Sequence, residues 1–165
     1  MPHLLPSSRS AALPPALRRA AAILFFCVAL LAPAGARAQS FELTGLRGER
    51  LTDADFHQGA TIVIVWASWS PRSRDIVARV NPLAERFRGK ARVVTVDFQE
   101  ERAAVEKFLG DKALSVPVFL DPDGMFSKAH SVATLPGLLI VKEGRVVYHG
   151  KLPEDPDRVI LDAIG

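Results

Sequence analysis

The apolar positions of the chain form a series of short β-type runs separated by amphipathic helical stretches. Phe41 to Leu51, FELTGLRGERL, alternates loosely about a turn signal at Arg47-Gly48 and predicts an N-terminal hairpin. Thr61 to Trp66, TIVIVW, is continuous and largely β-branched, as expected of a strand buried on both faces. After Pro71, apolar residues recur at Ile76, Val77, Val80, Leu83 and Phe87, and spacings of three and four predict a helix. Pro82 is expected to kink or restart that helix, with Asn81 as the available cap. Ala91 to Phe98 reads as a second buried strand, and Glu100 to Leu109 as a second helix with Ala104, Val105, Phe108 and Leu109 on one face.

Pro117 to Leu120 predicts a short strand that stops at the turn signature Asp121-Pro122-Asp123-Gly124. Phe126 to Val132 predicts a short helix. Gly137 to Val141 and Arg145 to His149 flank Lys142-Glu143-Gly144 as an antiparallel hairpin. Pro153 to Ile164 closes the chain as a helix, with Val159, Ile160 and Ile164 inward. Strands alternating with helices define an α/β fold: a central mixed, largely parallel sheet with helices on both faces and a β-hairpin at its N-terminal end.

Residues 1–38 follow a different pattern. Arg9, Arg18 and Arg19 precede the 13-residue apolar run Ala20 to Ala32, which is followed by Ala36-Arg37-Ala38. These are the basic, apolar and A-x-A parts of a signal peptide. The run is short of the roughly 20 residues that span a bilayer as a helix. The expected product is therefore a periplasmic or otherwise exported domain of residues 39–165, with a retained N-terminal membrane anchor as the alternative.

This division changes the chemistry available to the domain. The one cysteine, Cys27, lies in the apolar run, so residues 39–165 hold no thiol. Without one they can form no disulfide and carry out no thiolate chemistry of their own. The same residues carry 17 Lys+Arg against 18 Asp+Glu, which leaves no electrostatic footprint for nucleic acid.

Four stretches, LTGLRGERLTDADFHQG, IVIVWASWSPRSR, PVFLDPDG and TLPGLLIVKEGRVVYHG, occur in that order. Together they resemble the exported thioredoxin-like proteins of the TlpA/ResA type, relatives of the redoxin and AhpC/TSA domains. The resemblance implies a thioredoxin-like fold and a redox turn after the first central strand that reads W-C-x-x-C in the family. The first cysteine of such a turn sits at a helix N-terminus, where the dipole and free N–H groups favour a thiolate. Here the matching residues are Trp69, Ser70, Pro71, Arg72 and Ser73.

The family also places a proton-handling carboxylate three residues after the second cysteine or six before the first. Ile76 and Ile64 stand at those places, and Asp75, one residue off, is expected to face solvent. The resemblance thus implies that the thiols and the groups that titrate with them are missing together. Thr134-Leu135-Pro136 matches the family's cis-proline segment, whose backbone can pair with an extended peptide.

Ser70 is expected to serve as a helix N-cap, with Pro71 at the first helical position. A serine nucleophile needs a positioned base, and His57, His130 and His149 have no motif support, so no catalytic residue is expected. Soft metals seek thiolate or thioether ligands, of which residues 39–165 offer only Met125. Asp121 and Asp123 read as a turn, because Pro122 and the lack of later acidic ligands do not suit calcium. No metal and no cofactor is expected. Trp66 is expected in the core and Trp69 on the surface, and Arg72 and Arg74 make the rim basic, suiting an acidic partner.

Two functions follow. One is a non-catalytic protein- or peptide-binding or assembly factor that uses the WSPRS turn and Thr134-Leu135-Pro136. Its partner would be another exported or membrane protein, bound as an extended segment. The alternative is a thiol-disulfide oxidoreductase or peroxidase by descent, its thiol supplied by a cysteine-bearing partner.

Overall fold

The structure is a computed structural model, and it describes residues 40–165; the expected signal segment lies outside the described residues. The β-branched runs form the centre of the sheet, as continuous apolarity requires. Strand β3 (Ala60–Trp66) lies parallel to β4 (Arg92–Phe98), and β4 parallel to β5 (Val118–Asp121). An N-terminal hairpin of β1 (Glu42–Gly45) and β2 (Arg50–Thr52) joins antiparallel to β5, and the hairpin of β6 (Gly137–Lys142) and β7 (Arg145–Lys151) joins antiparallel to β3. The resulting seven-stranded order is β2-β1-β5-β4-β3-β6-β7.

Helix α1 (Ile76–Arg86) connects β3 to β4, and α2 (Arg102–Leu109) connects β4 to β5. Both lie on one face of the sheet, as successive right-handed crossovers demand. There Ile76, Val80 and Leu83 of α1, Val105 of α2 and Ile160 of α4 (Asp157–Ile164) pack on Ile62, Ile64 and Trp66. The opposite face presents Val63, Val65, Val94 and Val96 to Phe56, from a 3-10 turn at Asp53–His57, and to Phe126 of α3 (Met125–Ala129). The period-two alternation along β3 supplies both cores at once.

Three expectations are corrected at the element level. The helix does not restart at Pro82: α1 runs through it. Val80 and Leu83 flank the proline and are buried; at about 1.5–3 kcal/mol each they offset the roughly 3 kcal/mol that an interior proline costs. Asn81 caps nothing, and instead ties α1 to the loop before β5, donating to Ala113 O at 3.0 Å and accepting from Ser115 N at 2.8 Å. In α2, Ala104 is exposed, and the buried side is carried by Val105 with Phe108 and Leu109 half-buried.

Candidate functional site

Beyond Trp66 the chain leaves the sheet through two tight turns. Ser70 N donates to Ala67 O at 3.1 Å, and Ser73 N donates to Ser70 O at 2.9 Å. Pro71–Ser73 forms one turn of 3-10 helix, separate from α1, with Ser70 at the N-cap and Pro71 at the first helical position. The Ser70 side chain makes no capping bond, so the residue occupies the cap through its extended backbone alone. Ser70 is 6% exposed and Ser73 fully buried, while Trp69 is 59% exposed. The turn thus hides the Ser73 hydroxyl, leaves little of Ser70 exposed, and presents its indole.

The Leu135–Pro136 peptide bond is cis. This loop lies against the start of β6 because residue 137 is glycine. A Cβ there would come within 2.7 Å of Val132 Cγ1 and 2.8 Å of Thr134 O, well inside contact distance. Among the described residues no backbone hydrogen bond engages the N–H or C=O of Leu135, which leaves both available to a visiting strand.

The structure brings Trp69, Ser70, Pro71 and Arg72 together with Thr134 and Leu135 around one hollow of about 460 Å³. Phe98, Val132 and Ala133 complete its wall; none of the three was marked by any motif. The Trp69 and Phe98 rings, tilted with centroids 6.5 Å apart, form an aromatic pair in its wall. Ser73 and Pro136 do not line this hollow. The former is buried under the turn, with its Oγ meeting no hydrogen-bond partner among the described residues, and the latter faces a neighbouring recess.

Ile64 and Ile76 are core residues and Asp75 is exposed, as expected, yet the inference that no buried acid accompanies the turn is corrected. Asp97 is fully buried near the end of β4, in register with Trp66 of β3 and Leu120 of β5. Neither carboxylate oxygen has a hydrogen-bond donor among the described residues, and the Trp66 indole N–H has no acceptor among them. Burial pushes the Asp97 carboxyl up to about 8, helped by the Glu100 carboxylate beside it and by the charge of Asp121. Asp97 is then held largely protonated near neutral pH, and as an acid it can donate to Glu100.

Glu100 connects this acid to the turn. It accepts hydrogen bonds from both the backbone N–H and the hydroxyl of Ser68, two residues before Ser70. Asp121, in contrast, has a structural use: it accepts from Phe126 N at 3.1 Å, Ser127 N at 2.9 Å and Ser127 Oγ at 2.7 Å, holding the start of α3. Asp97 was legible in principle, because it is an acid inside VVTVDF, a run whose apolarity already predicted burial on both faces. Among the described residues no group of three or more His, Cys, Asp or Glu side chains is placed to hold a metal ion, and no helix is long and apolar enough to cross a membrane.

The mixed sheet, the crossover helices and a turn facing a cis-proline loop define a thioredoxin-like α/β protein, one with no thiol among its described residues. The Redoxin family model matches residues 33–164, and the chain belongs to that family; its relatives are of the TlpA/ResA type. It is 26% identical to the thiol-disulfide oxidoreductase ResA of Bacillus subtilis over 115 residues, 68% of this chain and 64% of that protein. The match therefore spans a little under two thirds of the relative's length.

Among solved structures, the Chlorobium tepidum protein assigned as thiol:disulfide interchange protein DsbE superposes with a TM-score of 0.67 at 25% identity, covering 78% of this chain and 95% of that one. The exposed lipoprotein thioredoxin Etrx1 of Streptococcus pneumoniae gives 0.66 at 19% identity, covering 75% of this chain and 97% of its own. At that identity the likeness is one of fold.

Proposed function

We propose that this protein is an exported thioredoxin-fold binding module: a non-catalytic protein- or peptide-binding or assembly factor that works without dithiol chemistry. The observation that carries the reading is the pairing of two facts at one turn. Both positions expected to hold thiols are serines, yet the turn still presents Trp69 to solvent beside an open apolar hollow. Losing the sulfur removes nucleophile and resolving group alike, whereas a hollow and a free backbone at Leu135 serve binding without any reactive atom.

The partner in this reading is another exported or membrane protein, engaged as an extended segment. Export is supported by the basic, apolar and A-x-A pattern of residues 1–38 and by the fold likeness to an exposed lipoprotein thioredoxin. A second reading keeps the redox role by descent, with a thiol brought by a cysteine-bearing partner. It is favoured by the similarity to ResA and by the buried Asp97 with the half-buried Glu100, which bonds to Ser68 just before the turn, a natural proton store for thiol chemistry.

An insulin-reduction assay on the purified residues 39–165, with dithiothreitol as electron source, separates the two. The binding reading expects the rate of dithiothreitol alone. Acceleration above that rate by cysteine-free protein would overturn it, and acceleration only after adding a cysteine-bearing partner would favour the second reading.

A further inference from the structure

The apolar hollow is not isolated. A second recess of about 380 Å³ adjoins it, and the two share Pro71, Arg72 and Leu135 as a common wall. Their linings differ sharply in chemistry. The first is walled by Trp69, Phe98, Val132 and Leu135. The second is lined by four cations, Arg72, Arg74, Arg79 and Lys151, against two carboxylates, Asp75 and Glu154.

The charges in the second recess are not internally satisfied. Among the described residues, none of its four cations lies within ion-pair distance of a carboxylate, although six other Arg residues of the chain do. Arg79 is fixed by two carbonyls, donating to Leu152 O at 3.2 Å and Pro153 O at 2.7 Å, which holds its guanidinium in place and leaves its charge uncompensated. Arg72 and Arg74 are exposed; Arg72 stands on the wall the two recesses share, and Arg74 lines the second.

From these two recesses we infer the class of segment the surface takes: an extended stretch of a partner protein reading apolar-x-acidic. The inference rests on the reading of the turn and the Leu135 loop as a binding surface, and adds its specificity. In an extended chain, side chains two residues apart point to the same face about 6.5–7 Å from one another. A segment crossing the Leu135 ridge therefore lays one side chain in each recess. The apolar one packs against the Trp69–Phe98 aromatic pair and Val132, and the acidic one meets the Arg72 and Arg74 guanidinium groups. An acidic side chain is preferred over a neutral one because it offsets the net positive charge of the second recess, and charge-assisted hydrogen bonds to arginine are about twice as strong as neutral ones.

The probes are octapeptides acetylated and amidated at their ends, free of Trp and Cys, that carry Phe followed two positions later by Glu, Gln or Lys. Binding to the purified domain is read from its tryptophan fluorescence at low and high salt. The Phe-x-Glu peptide is expected to bind about tenfold more tightly than Phe-x-Gln, equivalent to about 1.4 kcal/mol, and Phe-x-Lys more weakly still. The preference should collapse at about 1 M salt and in an Arg72→Gln/Arg74→Gln variant, which alters only exposed side chains. Equal affinity for the three peptides would overturn the charge assignment while leaving the binding surface standing. Failure of all three to bind at millimolar concentration, with Trp69→Ala giving the same silent signal, would overturn the surface itself and the inference with it.

Discussion

Trp66 and Trp69 are three positions apart and meet opposite environments. Trp66 closes β3 with no exposed surface and its ring 5.4 Å from Phe108, whereas Trp69 is 59% exposed over the hollow. Truncation should separate the roles. Trp66→Ala is expected to cost about 3–5 kcal/mol, the range for emptying a buried aromatic site, while Trp69→Ala should change stability by less than about 1 kcal/mol and remove peptide-induced fluorescence change. Urea unfolding of the two variants checks this; a Trp69→Ala loss as large as that of Trp66→Ala would mean that the exposed indole is structural. The difference was readable in the sequence because Trp66 ends a continuous apolar run and Trp69 follows Ala67-Ser68, outside it. The two serines were read only in part. Their positions at the turn were clear, but that Ser73 is wholly buried with an unpartnered hydroxyl depends on the 3-10 turn that precedes α1, and no periodicity announces it.

At the level of elements, β4 carries the least expected feature. Its VVTVDF run alternates between the two cores, and the alternation places Asp97 on the face that also holds Trp66. In the unfolded chain Asp97 ionises at its ordinary 3.8, and in the folded chain only near 8, because burial disfavours the charge and Glu100 opposes it. Between those values the folded protein holds a proton that the unfolded chain has released. Folding stability from this group is therefore full below about pH 4, falls as pH rises by up to about 1.4 kcal/mol per unit, and levels off above pH 8. Asp97→Asn should remove that slope and raise stability at pH 8 by several kcal/mol, with little change at pH 4. Urea denaturation of both forms at pH 4, 6 and 8 measures it, and parallel profiles would show that Asp97 is ionised in the folded state. The apolar pattern located β4 correctly and still missed its acid as a site residue, because attention to W-C-x-x-C spacing directs the search along the chain and the acid comes from the neighbouring strand. Pro82 was misread for a related reason: a local breaker is overridden when Val80 and Leu83 on either side of it are buried by tertiary contact.

Across the whole molecule, the order of strands and helices followed from periodicity, but their arrangement did not. That β1 pairs with β5, and that β3 sits between β4 and β6, requires contacts between segments far apart in sequence, and only the likeness to a known fold could supply them in advance. The same arrangement gathers the proposed binding surface from three separate places: the turn after β3, Phe98 at the end of β4, and the Val132 to Leu135 loop before β6. The two recesses, one apolar and one cationic, exist only after that assembly. The central claim is that this assembled surface holds a partner without thiol chemistry. It is tested most directly by amine crosslinking in intact cells of the native host, quantified by mass spectrometry for the natural chain and for a Trp69→Ala/Leu135→Ala variant of matched thermal stability. The account predicts a specific crosslinked partner with the natural chain and its loss with the variant; an undiminished yield from the variant would contradict it.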